Sequence, residues 1–275
     1  MSLSKKIDFA VIFTVQNANP NGDPLNSNRP RVTYEGIGEV SDVCIKRKLR
    51  DRLQETGHAI FVQSDDRKID DAASLRSRAE AALGKKLGEV DIVKEASTRW
   101  FDVRAFGQLF AYQGAKKGDG TGVSVGIRGP VTVHPAFSVE PVSVTSTQIT
   151  KSVNGEDPKD DKKRASDTMG MKHRVDEGVY YFFGSMNPQL SEKTGFSDED
   201  ALAIKNILPK LFENDASSAR PEGSMNVLKV IWWEHGCKSG QYSSAKVHGS
   251  LHVNADGSYD LLPLEGLEPE IIEGF

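Results

Sequence analysis

A chain of 275 residues, 37% hydrophobic and 27% charged, can bury an ordinary core as one elaborated domain or two small ones. Its net charge of −4 argues against a uniformly basic nucleic-acid binder, and no apolar run approaches the ~20 residues of a membrane span. Residues 1–6 lack the apolar segment of a signal peptide. Cys44 and Cys237 suit a reducing compartment, as buried small residues rather than a disulfide, so a cytoplasmic location is expected. The charge is unevenly spread: acidic residues collect in 156–161, 197–200 and 265–273, and basic ones between 29 and 52.

Residues 7–15 alternate, with Ile7, Phe9, Val11, Phe13 and Val15 against Asp8, Ala10, Ile12 and Thr14, which predicts a half-buried strand. The following stretch, Gln16-Asn17-Ala18-Asn19-Pro20-Asn21-Gly22-Asp23-Pro24, cannot continue that strand, because proline lacks an amide donor and Asn-Gly favours tight turns. It is a loop at a sheet edge or mouth. A helix is predicted over 42–55, with Ser41 as cap, Gly57 as stop and Ile45, Leu49 and Leu53 as its buried stripe. Lys46 and Arg50 fall on one border of that stripe, Lys48 and Arg52 on the other, and Arg47 can pair with Asp51. By pattern alone this helix is either a solvated amphipathic face or a surface for a polyanion.

Residues 58–97 are polar, with a helical stretch at 72–83, and read as an inserted subdomain. The apolar run 100–110 predicts a buried strand, and 123–133 another. The glycines at 118–122 match neither the dinucleotide nor the Walker pattern, which argues against nucleotide hydrolysis. Residues 151–167 carry too few apolar groups to pack and are expected to protrude and be mobile. An aromatic strand at 179–183 precedes Ser197-Asp198-Glu199-Asp200, a capping box opening a helix with Ala201, Ile204, Leu208 and Leu211 as its stripe, interrupted at Pro209. Strands at 225–233 and 247–253 complete a skeleton that suits a split β-α-β, ferredoxin-like fold.

Three sets of residues invite chemistry. Asn17, Asn19, Asn21 and Gly22 overlap the opening of a calcium loop, but amides replace its carboxylates and Asn28 stands where the bidentate glutamate is needed. His235, Cys237, His248 and His252 could ligate zinc, the last two sharing a strand face, but their spacing is unlike a structural finger. Asp23, Asp102 and Asp176 form no adjacent pair of the kind a two-metal nuclease needs, and Asp23 is expected to stabilise its own turn. No metal or cofactor is expected. Met169 and Met171 flank Gly170 in a polar neighbourhood with Lys163, Arg164 and Lys172, as core filler or as an exposed apolar wedge beside a base.

The strings Asn19-Pro20-Asn21-Gly22-Asp23-Pro24, Asn28-Arg29-Pro30-Arg31 and Ser41-Asp42-Val43-Cys44-Ile45-Lys46-Arg47-Lys48-Leu49-Arg50 are together similar to a known signature. It is that of the guide-RNA-binding backbone subunit of type I CRISPR Cascade interference complexes, in the RAMP superfamily, and within them of the type I-C branch. Further matches run from Asp102-Val103-Arg104-Ala105-Phe106-Gly107 through Gly126-Ile127-Arg128-Gly129-Pro130-Val131 to Gln148-Ile149-Thr150, and from Thr168-Met169-Gly170 to Tyr181-Phe182-Phe183-Gly184.

The resemblance implies an α+β fold: a modified RNA-recognition-motif (ferredoxin-like) palm within one elaborated domain over 1–275, an inserted finger-like region at 58–99 and a protruding thumb hairpin at 150–175. It also implies a non-catalytic scaffold that polymerises along guide RNA (crRNA) and presents it to target DNA. The implied partners are other copies of the chain, other Cascade subunits and a recruited helicase-nuclease, with no membrane. Expected RNA-binding residues are Asn17, Asn19, Asn21, Arg31, Lys46, Arg47, Arg50, Arg104, Gln148, Thr150, Arg164, Met169, Met171 and Lys172. The alternative is a metal-dependent endoribonuclease of the type III-like backbone class, in which an aspartate cuts RNA.

Overall fold

A computed structural model describes residues 2–84, 91–112, 123–150 and 169–275. The chain opens with strand β1 (Ile7–Ala18), a small hairpin of β2 (Gly22–Asp23) and β3 (Arg29–Pro30), strand β4 (Ile37–Val40) and helix α1 (Asp42–Glu55). Helices α2 (Leu75–Leu83), α3 (Ile92–Arg99) and α4 (Phe101–Phe106) lead into strands β5 (Gly107–Tyr112), β6 (Val123–Arg128), β7 (Val131–Val133), β8 (Ala136–Pro141) and β9 (Val144–Thr150). The long strand β10 (Met169–Met186) is followed by α5 (Pro188–Thr194), α6 (Asp198–Ile207) and β11 (Met225–Glu234). The chain closes with α7 (Ser244–His248), β12 (Leu251–Val253), β13 (Tyr259–Leu261) and β14 (Glu270–Glu273).

The architecture is mixed α/β around one antiparallel sheet of eight strands, ordered β14-β11-β1-β10-β8-β4, with β7 and β9 also pairing along β10. One face of β1 (Phe9, Val11, Phe13 and Val15) packs under α1, α4 and α6, through Ile45, Leu49, Leu53, Phe101, Ala201 and Ile204. That contact follows from the sequence. Ser41 accepts from the Cys44 amide to cap α1, and the Ser197–Asp200 capping box starts α6. Pro209 ends α6 as expected, in a 3-10 turn over Leu208–Lys210. On the core side of β10, Gly184 lies under the Phe9 ring, where a Cβ would collide with it. A second, satellite core gathers Phe61, Ala79, Ile92, Ala96, Trp100, Val103, Phe110 and Ile127.

Four expectations need correction. β1 is buried on both faces, not half-buried, because α7 and the β12–β13 hairpin cover Ala10 and Ile12 on the second face through Val247, Leu251 and Val253. The run 100–110 is a helix to Phe106 and a strand only from Gly107, whose φ of 81° lets the chain turn out of the helix. A short apolar run buried all round cannot be assigned by periodicity, because helix and strand hide it equally well. Likewise 247–253 is not one strand: Val247 and His248 close α7, and pairing starts at Leu251. His248 and His252 therefore share no strand face. Cys237 is exposed rather than buried, and both cysteines are free.

On the second face of β1, under α7, Asp8 is fully buried. Its carboxylate meets His235 Nε2 at 2.9 Å, Lys6 Nζ at 3.2 Å and His248 Nε2 at 3.3 Å. His235 Nδ1 accepts from the Gln241 amide at 3.0 Å, so the proton shared with Asp8 sits on Nε2. Burial alone would raise the Asp8 pKa, but His248, Ser244, His235 and the Lys6 ammonium outweigh it and hold the carboxyl well below its ordinary value. A depressed carboxyl stabilises the fold above the unfolded value of about 3.9, and that contribution is lost as pH falls through this value toward the lower folded one. Urea unfolding of the wild type should thus show stability dropping below about pH 4, and Asp8→Asn should remove that part of the acid slope. Equal acid slopes in both proteins would show that Asp8 does not contribute it.

Candidate nucleic-acid interface

The Asn-rich loop is built from its own amides. Asn17 adopts φ 52° and interrupts the pairing of β1 with β10 between Gln16↔Glu177 and Ala18↔Val175. Asn19 is buried; its side chain donates to the Asn28 carbonyl at 2.7 Å and its own amide to the Ala219 carbonyl at 2.8 Å. Asn21 Oδ1 accepts from both the amide and the hydroxyl of Ser41, at 2.9 and 2.8 Å, tying the loop to the start of α1. Gly22 passes so close to Asn28 that a Cβ would overlap its side chain. Asp23 accepts from the Leu25 amide at 3.1 Å, the turn-stabilising role expected of it, and lies 3.7 Å from Arg31. Asn17 is thus the exposed amide of the three, while Asn19 and Asn21 hold the loop's shape.

The basic residues of α1 are all matched by carboxylates. Lys46 meets Asp42 at 3.0 Å, Arg47 meets Asp51 at 3.6 Å and Asp66 at 3.7 Å, and Arg52 meets Glu55 at 2.7 Å. Lys48 is buried against Asp215, and burial pushes its ammonium below the ordinary lysine value while Asp215 opposes the shift. Arg50 Nε donates to Asp102 at 2.9 Å, and Asp102 also accepts from the Phe61 and Val62 amides at 2.7 and 3.0 Å. Arg104 makes a two-pronged pair with Asp200 at 2.9 and 2.7 Å. Arg50 and Arg104 are therefore joints between helices, while Lys46 and Arg47 keep solvent-facing heads.

Beyond the loop, β9 and β10 leave the sheet as a two-stranded ribbon. Its register pairs Val144↔Val175, Ser146↔His173, Gln148↔Met171 and Thr150↔Met169, which places these residues along one face. Val175 belongs to the main core, and the face then becomes exposed. Met171 and Met169 are 54% and 67% exposed, so they are not core filler. Gln148 Nε2 lies 3.4 Å from Met169 Sδ. Lys172 points to the opposite face with Ile149 and Thr147. Lys163, Arg164 and the expected mobile stretch 151–167 lie outside the described residues.

Loop and ribbon meet directly. Arg29 Nη1 donates to Ser146 Oγ at 2.7 Å, and Ser146 Oγ lies 2.8 Å from His173 Nδ1. Sequence reasoning missed Ser146 and His173 and left Arg29 out of the binding set. The signal was the strand register, which places Ser146 two residues before Gln148 on the same face, but it could not be read without knowing that 169–175 pairs there. The histidines considered for zinc are dispersed: His235 and His248 face Asp8, whereas His252 is exposed on β12. Among the described residues no group of three or more His, Cys, Asp or Glu side chains is arranged to hold a metal ion.

A comparison over the whole chain decides the lineage: the family described as CRISPR-associated protein Cas7 matches residues 5–264. The chain belongs to that family. A Haloferax volcanii protein described as CRISPR-associated protein Cas7 is 24% identical over 306 residues, spanning 99% of this chain and 82% of its own. Among solved structures, a chain of a "CRISPR RNA-guided surveillance complex, pre-nicking" is 19% identical, with a TM-score of 0.48 over 83% of this chain and 75% of that one. A chain of another "CRISPR RNA-guided surveillance complex" is 18% identical, with a TM-score of 0.47 over 92% and 77%.

Proposed function

We propose that this Cas7-family chain is the guide-RNA-binding backbone subunit of a type I CRISPR surveillance complex, of the type I-C branch. It works as a non-catalytic scaffold in the cytoplasm. Copies would assemble head to tail along crRNA and present it for pairing with target DNA, beside other Cascade subunits and a recruited helicase-nuclease. In that reading the sheet with α1 and α6 is the RNA-recognition-like palm, 58–99 is the inserted finger-like region and 150–175 is the thumb hairpin. The observation that carries it is the surface where the amide-rich loop meets the ribbon, with Asn17, Arg31, Gln148 and the two methionines exposed or half-exposed along it. Amides and cations of this kind hold phosphate and ribose, and base pairing then reads the sequence.

The carboxylates argue for a scaffold rather than the endoribonuclease alternative. Asp23 caps its own turn, Asp102 is committed to Arg50 and two amides, and Asp176 accepts from Thr145 at 2.8 Å. Asp23→Ala should leave any RNA cleavage assayed with Mg²⁺ unchanged; cleavage lost in that variant alone would favour the nuclease.

The first test is RNA binding across a salt series with Lys46→Ala. Among the described residues Lys46 pairs with Asp42 one turn away, a contact worth about 0.3–0.5 kcal/mol, so folding should be retained. Affinity should fall about equally for all sequences and the salt slope should drop by about 0.7, one phosphate contact on a single strand. An unchanged slope would return α1 to a solvated face.

A further inference from the structure

We propose that Arg29, Ser146 and His173 form an RNA-phosphate site at the root of the ribbon, and that the guide runs along this seam as well as past Lys46. The inference rests on the RNA-binding reading above and adds the cation that anchors the strand. It starts from a difference in charge compensation. Every basic side chain of α1 has a carboxylate within ion-pair reach, and so has Arg104. Among the described residues Arg29 has no carboxylate partner; its one contact is the neutral hydroxyl of Ser146 at 2.7 Å. A guanidinium has five N–H donors in a planar fork, and a single donation to Ser146 leaves about four of them for an anion.

Ser146 Oγ accepts from Arg29 and lies 2.8 Å from His173 Nδ1, so one hydroxyl ties the guanidinium and the imidazole together at the root of the ribbon. Arg29 thus meets no neutralising carboxylate within this group. A purely structural role is too weak to account for the arrangement. One exposed hydrogen bond from a guanidinium to a hydroxyl replaces equivalent bonds to water and gains the fold little, while fixing an arginine side chain gives up much of its rotamer entropy. The net gain to the fold is near zero, whereas an arginine already aimed has less entropy to lose when it grips a phosphate. The position fits as well: the same ribbon face continues to Gln148 and Met171, so a strand held at Arg29 is led onto the exposed methionines.

The test is the affinity of the full chain for a short oligouridylate over a salt series, with folding followed by circular dichroism. Arg29→Ala should raise Kd about tenfold, the loss of a charged hydrogen bond, and lower the salt slope by about 0.7. Ser146→Ala should weaken binding several-fold and leave the slope unchanged, because the charge stays but its aim is lost. Lys193→Ala, on the exposed side of α5, should change neither. If Arg29→Ala keeps wild-type affinity and slope, or if Lys193→Ala lowers the slope as much, the site is overturned. Lys46→Ala weakening binding while Arg29→Ala does not would overturn this site alone and leave the RNA-binding reading standing. A wild-type chain with no affinity for oligouridylate would overturn both.

Discussion

Replacing Arg50 with alanine is expected to destabilise the fold by about 3–5 kcal/mol, a larger effect than any it has on RNA affinity. Arg50 is 14% exposed and Asp102 1% exposed, and the two meet at 2.9 Å with the guanidinium 5.2 Å from the centre of the Phe106 ring. The Phe61 and Val62 amides also donate to Asp102, so this carboxylate fastens the segment after α1 to the start of α4. Without the guanidinium, a buried carboxylate would keep two amide donors but lose its ion-pair partner, the costly way to break a buried pair. Urea unfolding gives the number, and a cycle with Asp102→Asn isolates the pair from the lost packing on Phe106. A cost below about 1 kcal/mol would mean that the ion pair is not a structural joint and that Arg50 is available to a ligand.

Arg50 also marks where the sequence stops being readable. Helix α1 is legible because cap, apolar stripe and stop all agree, and the Arg47–Asp51 pair is legible because it closes within one turn. The partners of Lys48, Arg50 and Arg104 are Asp215, Asp102 and Asp200, brought in from remote segments by tertiary packing, and no local pattern announces them. A basic border on a helix therefore reads as a polyanion surface when much of it is charge-matched. The same limit hid the double burial of β1, since its cover comes from α7 and the β12–β13 hairpin near the far end of the chain. It hid α4 as well, because six residues, four of them buried with only short gaps between them, carry no usable period. In the Asn-rich stretch the turn was legible, but the division of labour was not. Asn19 and Asn21 shape the loop through Asn28 and Ser41, so substituting either should show in thermal stability as well as in binding.

The double variant Met169→Ser, Met171→Ser should fold normally, bind short RNA as the wild type does, and lose periodic protection of a long RNA entirely. Both side chains are more than half exposed on a ribbon face outside the core, so removing them should change stability by no more than about 0.5 kcal/mol. Two thioethers held in water beside Gln148 and Thr150 gain nothing for the isolated fold, and their apolar surface is suited to slip beside a base and unstack it, at about a few kcal/mol per step. Short RNA would be gripped at the seam and at Lys46, neither of which the substitutions touch. On a long guide each ribbon would reach the neighbouring copy and displace a nucleotide at a fixed interval, so exposed and protected positions should alternate in a nuclease footprint. Removing the wedges should leave continuous protection, because copies still coat the strand while no base is pushed out. A periodic footprint that survives in the double variant would take the methionines out of this account and leave the spacing to the surfaces through which the subunits pack.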